Sequence, residues 1–187
     1  MKKVVIVSLL FTFWGLSQSF AQFSPIVKLN TEVAIDGSKN FCFGGQFIAG
    51  YRINENLIIG AGTGISYTDL LFYPSFSIGL HYYKEYKETG AYVPLFATAK
   101  YNFTKEGISP YVSLDAGYSF LVPFSDYASD YVKLGVMFNP HFGVDFPISK
   151  GSIGVELGYK YQTMNNSELT DSKMDYNQLT IGVAYNF

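Results

Sequence analysis

Leu179-Thr180-Ile181-Gly182-Val183-Ala184-Tyr185-Asn186-Phe187 ends the chain, and its reading decides the fold. Leu179, Ile181, Val183, Tyr185 and Phe187 alternate without a miss with Thr180, Gly182, Ala184 and Asn186. A β-strand turns successive side chains to opposite faces, so this stretch has one bulky apolar face and one small or polar face. The open question is which face is wet.

The same period recurs upstream. Val27, Leu29, Thr31, Val33 and Ile35 oppose Lys28, Asn30, Glu32 and Ala34. Further alternating stretches cover residues 42–53, 57–67, 92–103, 109–121, 132–146 and 152–162, which with 175–187 makes eight strands. Turn chemistry separates them, as in Asp36-Gly37-Ser38-Lys39-Asn40 and Thr104-Lys105-Glu106-Gly107. Pro140 falls inside one strand, where it has no N–H for the ladder, and a bulge is expected there.

Residues 68–91 are the awkward segment. Phe76 to Tyr82 alternates well enough to be a strand, yet a ninth strand would break the even count of bacterial single-chain barrels. The expectation is a hairpin extended above the membrane, followed by a solvated loop at Lys84 to Glu88.

Two barrels compete for this pattern: a soluble carrier with the bulky face inside, and a membrane barrel with it outside. The bulky set holds more than forty side chains, and an eight-strand barrel has an interior only just filled by ordinary ones. The opposite set is rich in Gly, Ser, Ala and Asn. Size therefore puts the bulky face against lipid.

Charge agrees. Lys28, Arg52, Lys100, Lys133 and Lys160 share the small face with Glu32, Asp115, Asp145 and Glu156, a near balance that suits an ion-paired interior. The bulky face carries no formal charge in these stretches, and Tyr51, Tyr101, Tyr161 and Tyr185 fall near strand ends, where amphipathic rings meet the lipid–water boundary. The fold class is all-β: an eight-stranded antiparallel up-and-down transmembrane β-barrel, its last strand closing on its first.

Composition sets the outer bounds. The 187 residues suit one domain; they are 18% aromatic but only 15% charged, and no run reaches the length of a membrane helix. A net charge of −2 gives no basic face for nucleic acid. Residues 1–21 read as an export signal: Lys2 and Lys3, an apolar centre from Val4 to Leu16, and Ser19-Phe20-Ala21 as cleavage site. Residues 22–187 then form the barrel. Cys42 is alone and cannot form an internal disulfide. In the second half the connections alternate between about four or five residues and ten or twelve, the layout of short periplasmic turns and longer outer loops.

Several stretches carry a family resemblance: Tyr92-Val93-Pro94-Leu95-Phe96-Ala97, Tyr101-Asn102-Phe103, Ser109 to Phe120, Asn139-Pro140 with Gly143-Val144, and the terminal Tyr185-Asn186-Phe187. With these the chain resembles the small outer-membrane β-barrel domain proteins of Gram-negative bacteria. The resemblance implies an outer-membrane location among lipid and lipopolysaccharide. It also implies insertion by the outer-membrane assembly machinery, with Tyr185 and Phe187 as the assembly signal. It is weak for activity, because such barrels serve many roles.

Chemistry is sparse. His141 and Asp145 share the inner face but lie about 13 Å apart along one strand, too far to touch, so each needs a cross-strand partner. A His-x-Ser pair on a lipid-facing rim would suggest an acyl hydrolase, but Gly143 and Tyr83 stand in the serine's place. Gly60-Ala61-Gly62-Thr63-Gly64 lies within an alternating strand and lacks the Lys-Ser/Thr of a phosphate loop. No metal-ligand spacing appears, and neither catalytic residue nor cofactor is expected.

Two outer regions remain. Phe72, Tyr73, Phe76, Tyr82, Tyr83 and Tyr86 form an aromatic candidate surface for an extracellular partner of unknown identity, or simply a hairpin packed on itself. Asp126, Asp130, Glu168, Asp171 and Asp175 are a solvated loop face or a weak divalent-cation site beside lipopolysaccharide. The functional reading is a non-enzymatic structural or surface-interaction protein of the envelope. A narrow porin-like channel stands second and a lipid-modifying enzyme third.

Overall fold

The structure is a computed structural model in which residues 22–35, 41–72, 86–123, 132–166 and 173–187 are described. Its regular elements are strands: β1 (Gln22–Phe23), β2 (Ile26–Ala34), β3 (Phe41–Arg52), β4 (Leu57–Phe72), β5 (Tyr86–Asn102), β6 (Ser109–Pro123), β7 (Val132–Ile148), β8 (Gly151–Asn166) and β9 (Lys173–Asn186). From β2 onward each pairs antiparallel with its sequence neighbour, and β9 returns to pair with β2. β1 runs beside β3 ahead of β2, the two separated by Ser24 and Pro25, so nine segments make eight staves. The ring is a closed up-and-down barrel. The closure leaves no backbone edge for lipid to meet.

Side chains sort as the period demands. In β2, Val27, Leu29 and Val33 are exposed while Lys28, Asn30 and Glu32 are buried. Leu157 is 52% and Val183 50% exposed, whereas Lys100 is 4% and Glu156 3%. A soluble carrier would reverse those four values. The outward surface is a mostly apolar band of the kind a bilayer covers.

Aromatic rings cluster where that band ends. At the short-turn end Phe23 meets Tyr51, Tyr101 meets Phe103, and Tyr185 meets Phe187, each edge to face. Toward the other end, the Tyr159 hydroxyl donates to Asn177 and the Tyr161 hydroxyl to Asp175. Such rings keep an apolar body in lipid and a polar tip in water.

β4 and β5 continue past the alternating core as one hairpin, pairing from Thr68↔Gly90 to Phe72↔Tyr86. They are direct neighbours, so the ring closes at eight staves. The expected hairpin tip at Phe76 to Tyr82 lies outside the described residues, as do Tyr73, Tyr83, residues 1–21, Asp126, Asp130, Glu168 and Asp171. β8 and β9 also run on, into the stretch read as a loop at 163–174.

The solvated loop expected at Lys84 to Glu88 is likewise strand from Tyr86 onward, because it pairs with β4, and a further expectation also fails. Pro140 causes no bulge: β7 keeps a constant register with β6 through Leu114↔Pro140, and with β8 from Phe138↔Tyr161 to His141↔Gly158. A missing N–H removes a ladder bond without inserting a residue. The register shift lies instead between Leu134 and Met137, where three steps on β7 match two on β8. The extra residue lets Leu134 turn inward, not outward as simple alternation has it. There it joins Cys42 and Tyr92 in a buried cluster.

Candidate functional site

The inward faces meet in a lumen whose polar groups form tiers. Nearest the short turns, Lys100 Nζ lies 2.7 Å from Asp145 Oδ2 and 3.9 Å above the Tyr111 ring. Asn102 and Asn186 also donate to the Asp145 carboxylate, at 2.8 and 3.1 Å. Every oxygen of that carboxylate is occupied.

One tier further in, Lys28 Nζ stands between Glu156 Oε1 at 3.2 Å and Asp115 Oδ2 at 3.4 Å. Across from it, the His141 ring faces the same two acids, Nε2 at 3.2 Å from Asp115 and Nδ1 at 3.6 Å from Glu156. The Tyr111 hydroxyl donates to Glu156 and the Thr98 hydroxyl to Asp115. Four staves contribute the charged groups: β2, β6, β7 and β8.

The third tier joins Lys160 to Glu32 at 3.0 Å. Tyr92 bridges them, donating to Glu32 at 2.6 Å and accepting from Lys160 at 2.7 Å, with the ammonium 4.0 Å from its ring centroid. Beyond it Cys42 donates to Thr68 and accepts from Gln178. Alongside the ions, Ile26, Ile48, Ile58, Phe96, Met137 and Ala184 pack an apolar plug. Room for Phe96 comes from the flanking glycines: a Cβ at Gly62 would lie 2.5 Å from its ring, and one at Gly117 would lie 2.1 Å from the Leu95 carbonyl.

Seven of the nine interior charges named from the sequence are thus buried in these tiers. Arg52 is only half-buried and sits at the short-turn mouth, making one 3.4 Å contact to the Glu55 carbonyl. The Lys133 side chain lies outside what is described, as do those of Phe72 and Tyr86. Tyr92 and Tyr111 went unread as members of the network. Their parity with Thr98 and Asp115 places them inside, but a rule that sends large rings outward passes over them. Among the described residues no group of metal-ligating side chains gathers.

Below the Asp145 tier the barrel opens into a vestibule of two adjoining cavities, about 380 and 570 Å³. Arg52, Glu55, Lys105, Glu106 and Phe187 line both. Lys105 pairs with Glu55 across two short turns, and that contact holds the Lys105 ammonium above the ordinary lysine range. Both side chains are well exposed, so the pair adds little. What it adds is present at neutral pH and fades as pH rises through the lysine range.

Several solved barrels and one sequence family are similar to this chain. The barrel domain of OprF from Pseudomonas aeruginosa is 17% identical, with a TM-score of 0.46 over 89% of this chain and 99% of that one. Neisserial surface protein A is 18% identical, with a TM-score of 0.48 over 89% and 99%. The outer membrane enzyme PagL is 10% identical, with a TM-score of 0.46 over 85% and 97%. No curated protein matches the chain in sequence. The sequence profile of the outer membrane protein beta-barrel domain matches residues 13–187, nearly the whole chain. With a closed eight-stave ring, an apolar exterior and that match, the chain belongs to the outer membrane protein beta-barrel domain family.

Proposed function

We propose that the protein is a non-enzymatic structural or surface-interaction barrel of the outer membrane, with a lumen closed to solutes. The observation that carries this reading is the run of three cross-lumen ion tiers beside the Phe96 plug. A conducting path would have to part charges that are buried and paired, and an unpaired buried charge is costly. His141 supports the non-catalytic reading, since its ring nitrogens face two carboxylates inside the lumen, not a hydroxyl at the lipid boundary. Interaction with the outside falls to the extended β4–β5 hairpin and its aromatic residues, with lipid and lipopolysaccharide around the band. The assembly machinery is the other partner, reading Tyr185 and Phe187.

Two experiments test this. Folded protein in planar bilayers should give no reproducible single-channel steps; steady steps in correctly folded samples would replace the closed-barrel reading with the channel. Deleting residues 70–86 should leave the barrel folded and abolish adhesion to cells or envelope components. Unchanged adhesion would remove the hairpin from the account.

A further inference from the structure

The vestibule at the short-turn end holds unmatched groups. Its floor is satisfied, because Asp145 already accepts from Lys100, Asn102 and Asn186. At the rim, Lys105 and Glu55 neutralise each other. That leaves Arg52 from the β3–β4 turn and Glu106 from the β5–β6 turn. Both line the two cavities, yet among the described residues neither has an ion-pair partner, and they do not pair with each other. The larger cavity is also lined by Ser24, which is 2% exposed and whose Oγ has no hydrogen-bond partner among the described residues. The exposed rings of Phe23 and Phe187 complete the wall at the lipid boundary.

A guanidinium and a carboxylate that share one cavity without touching are complementary to a molecule carrying both opposite charges. We propose that this vestibule binds a small zwitterion, an ammonium and an oxyanion joined by a short linker. The planar fork of Arg52 takes the oxyanion through paired N–H donors, a fit a lysine could not offer. The ammonium donates to Glu106. Phe23 and Phe187 cover the linker. Two sources carry this chemistry on the periplasmic side: an ethanolamine phosphate headgroup of the surrounding lipid, and a free amino acid or short peptide.

The test uses ¹⁵N-labelled protein folded in dodecyl maltoside micelles and titrated with phosphoethanolamine or alanyl-alanine. Methyl phosphate and ethylamine serve as single-charge controls. Binding by either zwitterion should saturate, with shifts at the Arg52 Nε–H and the amides of residues 52–56 and 104–107. R52Q and E106Q should each weaken it at least tenfold, and R52K less than R52Q for the phosphate. Doping the micelles with lysophosphatidylethanolamine assigns the source: competition with the soluble probe identifies the headgroup, and binding of alanyl-alanine without lipid competition identifies the short peptide. The proposal is overturned if no probe saturates, if methyl phosphate or ethylamine alone binds as tightly as the zwitterions, or if R52Q changes nothing. Both variants lie at an open rim and should keep the gel mobility of the folded barrel.

Discussion

Among the described residues Lys160 is the cation paired with Glu32, and both are buried among Tyr92, Asn30 and the strand backbones. Removing one partner of such a pair leaves a charge with nowhere to go, typically at a cost of about 3–5 kcal/mol, while removing both is far milder. K160M should therefore lower the unfolding free energy by about that amount, and E32Q/K160M should recover most of it. Urea titration in lipid vesicles, followed by gel mobility, measures both. A single variant as benign as the double would show that water, not Glu32, satisfies the ammonium. At this scale the sequence was partly legible. Parity along each strand placed Lys28, Glu32 and Asp115 inside, but it could not say which acid meets which base. Pairing depends on the stagger between strands, and nothing in the order of one strand encodes the stagger of the next.

β7 shows what a strand can hide. Its extra residue at Leu134 to Met137 lets two large apolar side chains point inward where strict alternation allows one. Deleting Gly135 should be tolerated, since it restores regular pairing while Leu134, Val136 and Met137 keep their faces. Deleting Pro140 should prevent folding, because a one-residue slip turns Met137 and Asn139 to lipid and brings Val136 and Phe138 inside. Heat-modifiable gel mobility separates the outcomes; equal folding of both deletions would mean the register is not set here. Proline drew attention in the sequence because its missing N–H is a visible defect. The real irregularity sits at Gly135-Val136, where small size permits close approach to Thr163 and leaves little signal in one dimension. The β4–β5 extension was easier to foresee, since the even-count rule already disfavoured a separate strand.

For the whole molecule the decisive property is that grease faces out, and it was readable from side-chain volume alone: more than forty large groups have no room inside eight staves. Leu157→Lys, at mid-band on β8, should cost about 2–4 kcal/mol in a bilayer, and much less in a thin, wet detergent micelle. Equal cost in both would count against lipid contact at that position. The vestibule was not legible, because its walls come from three separate turns together with Phe23, Ser24 and Phe187. The ring has one more property as a whole. Its closing stave, β2, is its shortest: it meets β9 only from Ile26↔Asn186 to Ala34↔Gln178, while β8 holds β9 from Ser152↔Asn186 to Asn165↔Lys173. A hoop that loosens does so at its clasp, so deuterium should enter the amides of β2 well before those of β8, though both lie at the same depth in the bilayer. Mass-spectrometric exchange in vesicles would read that order directly.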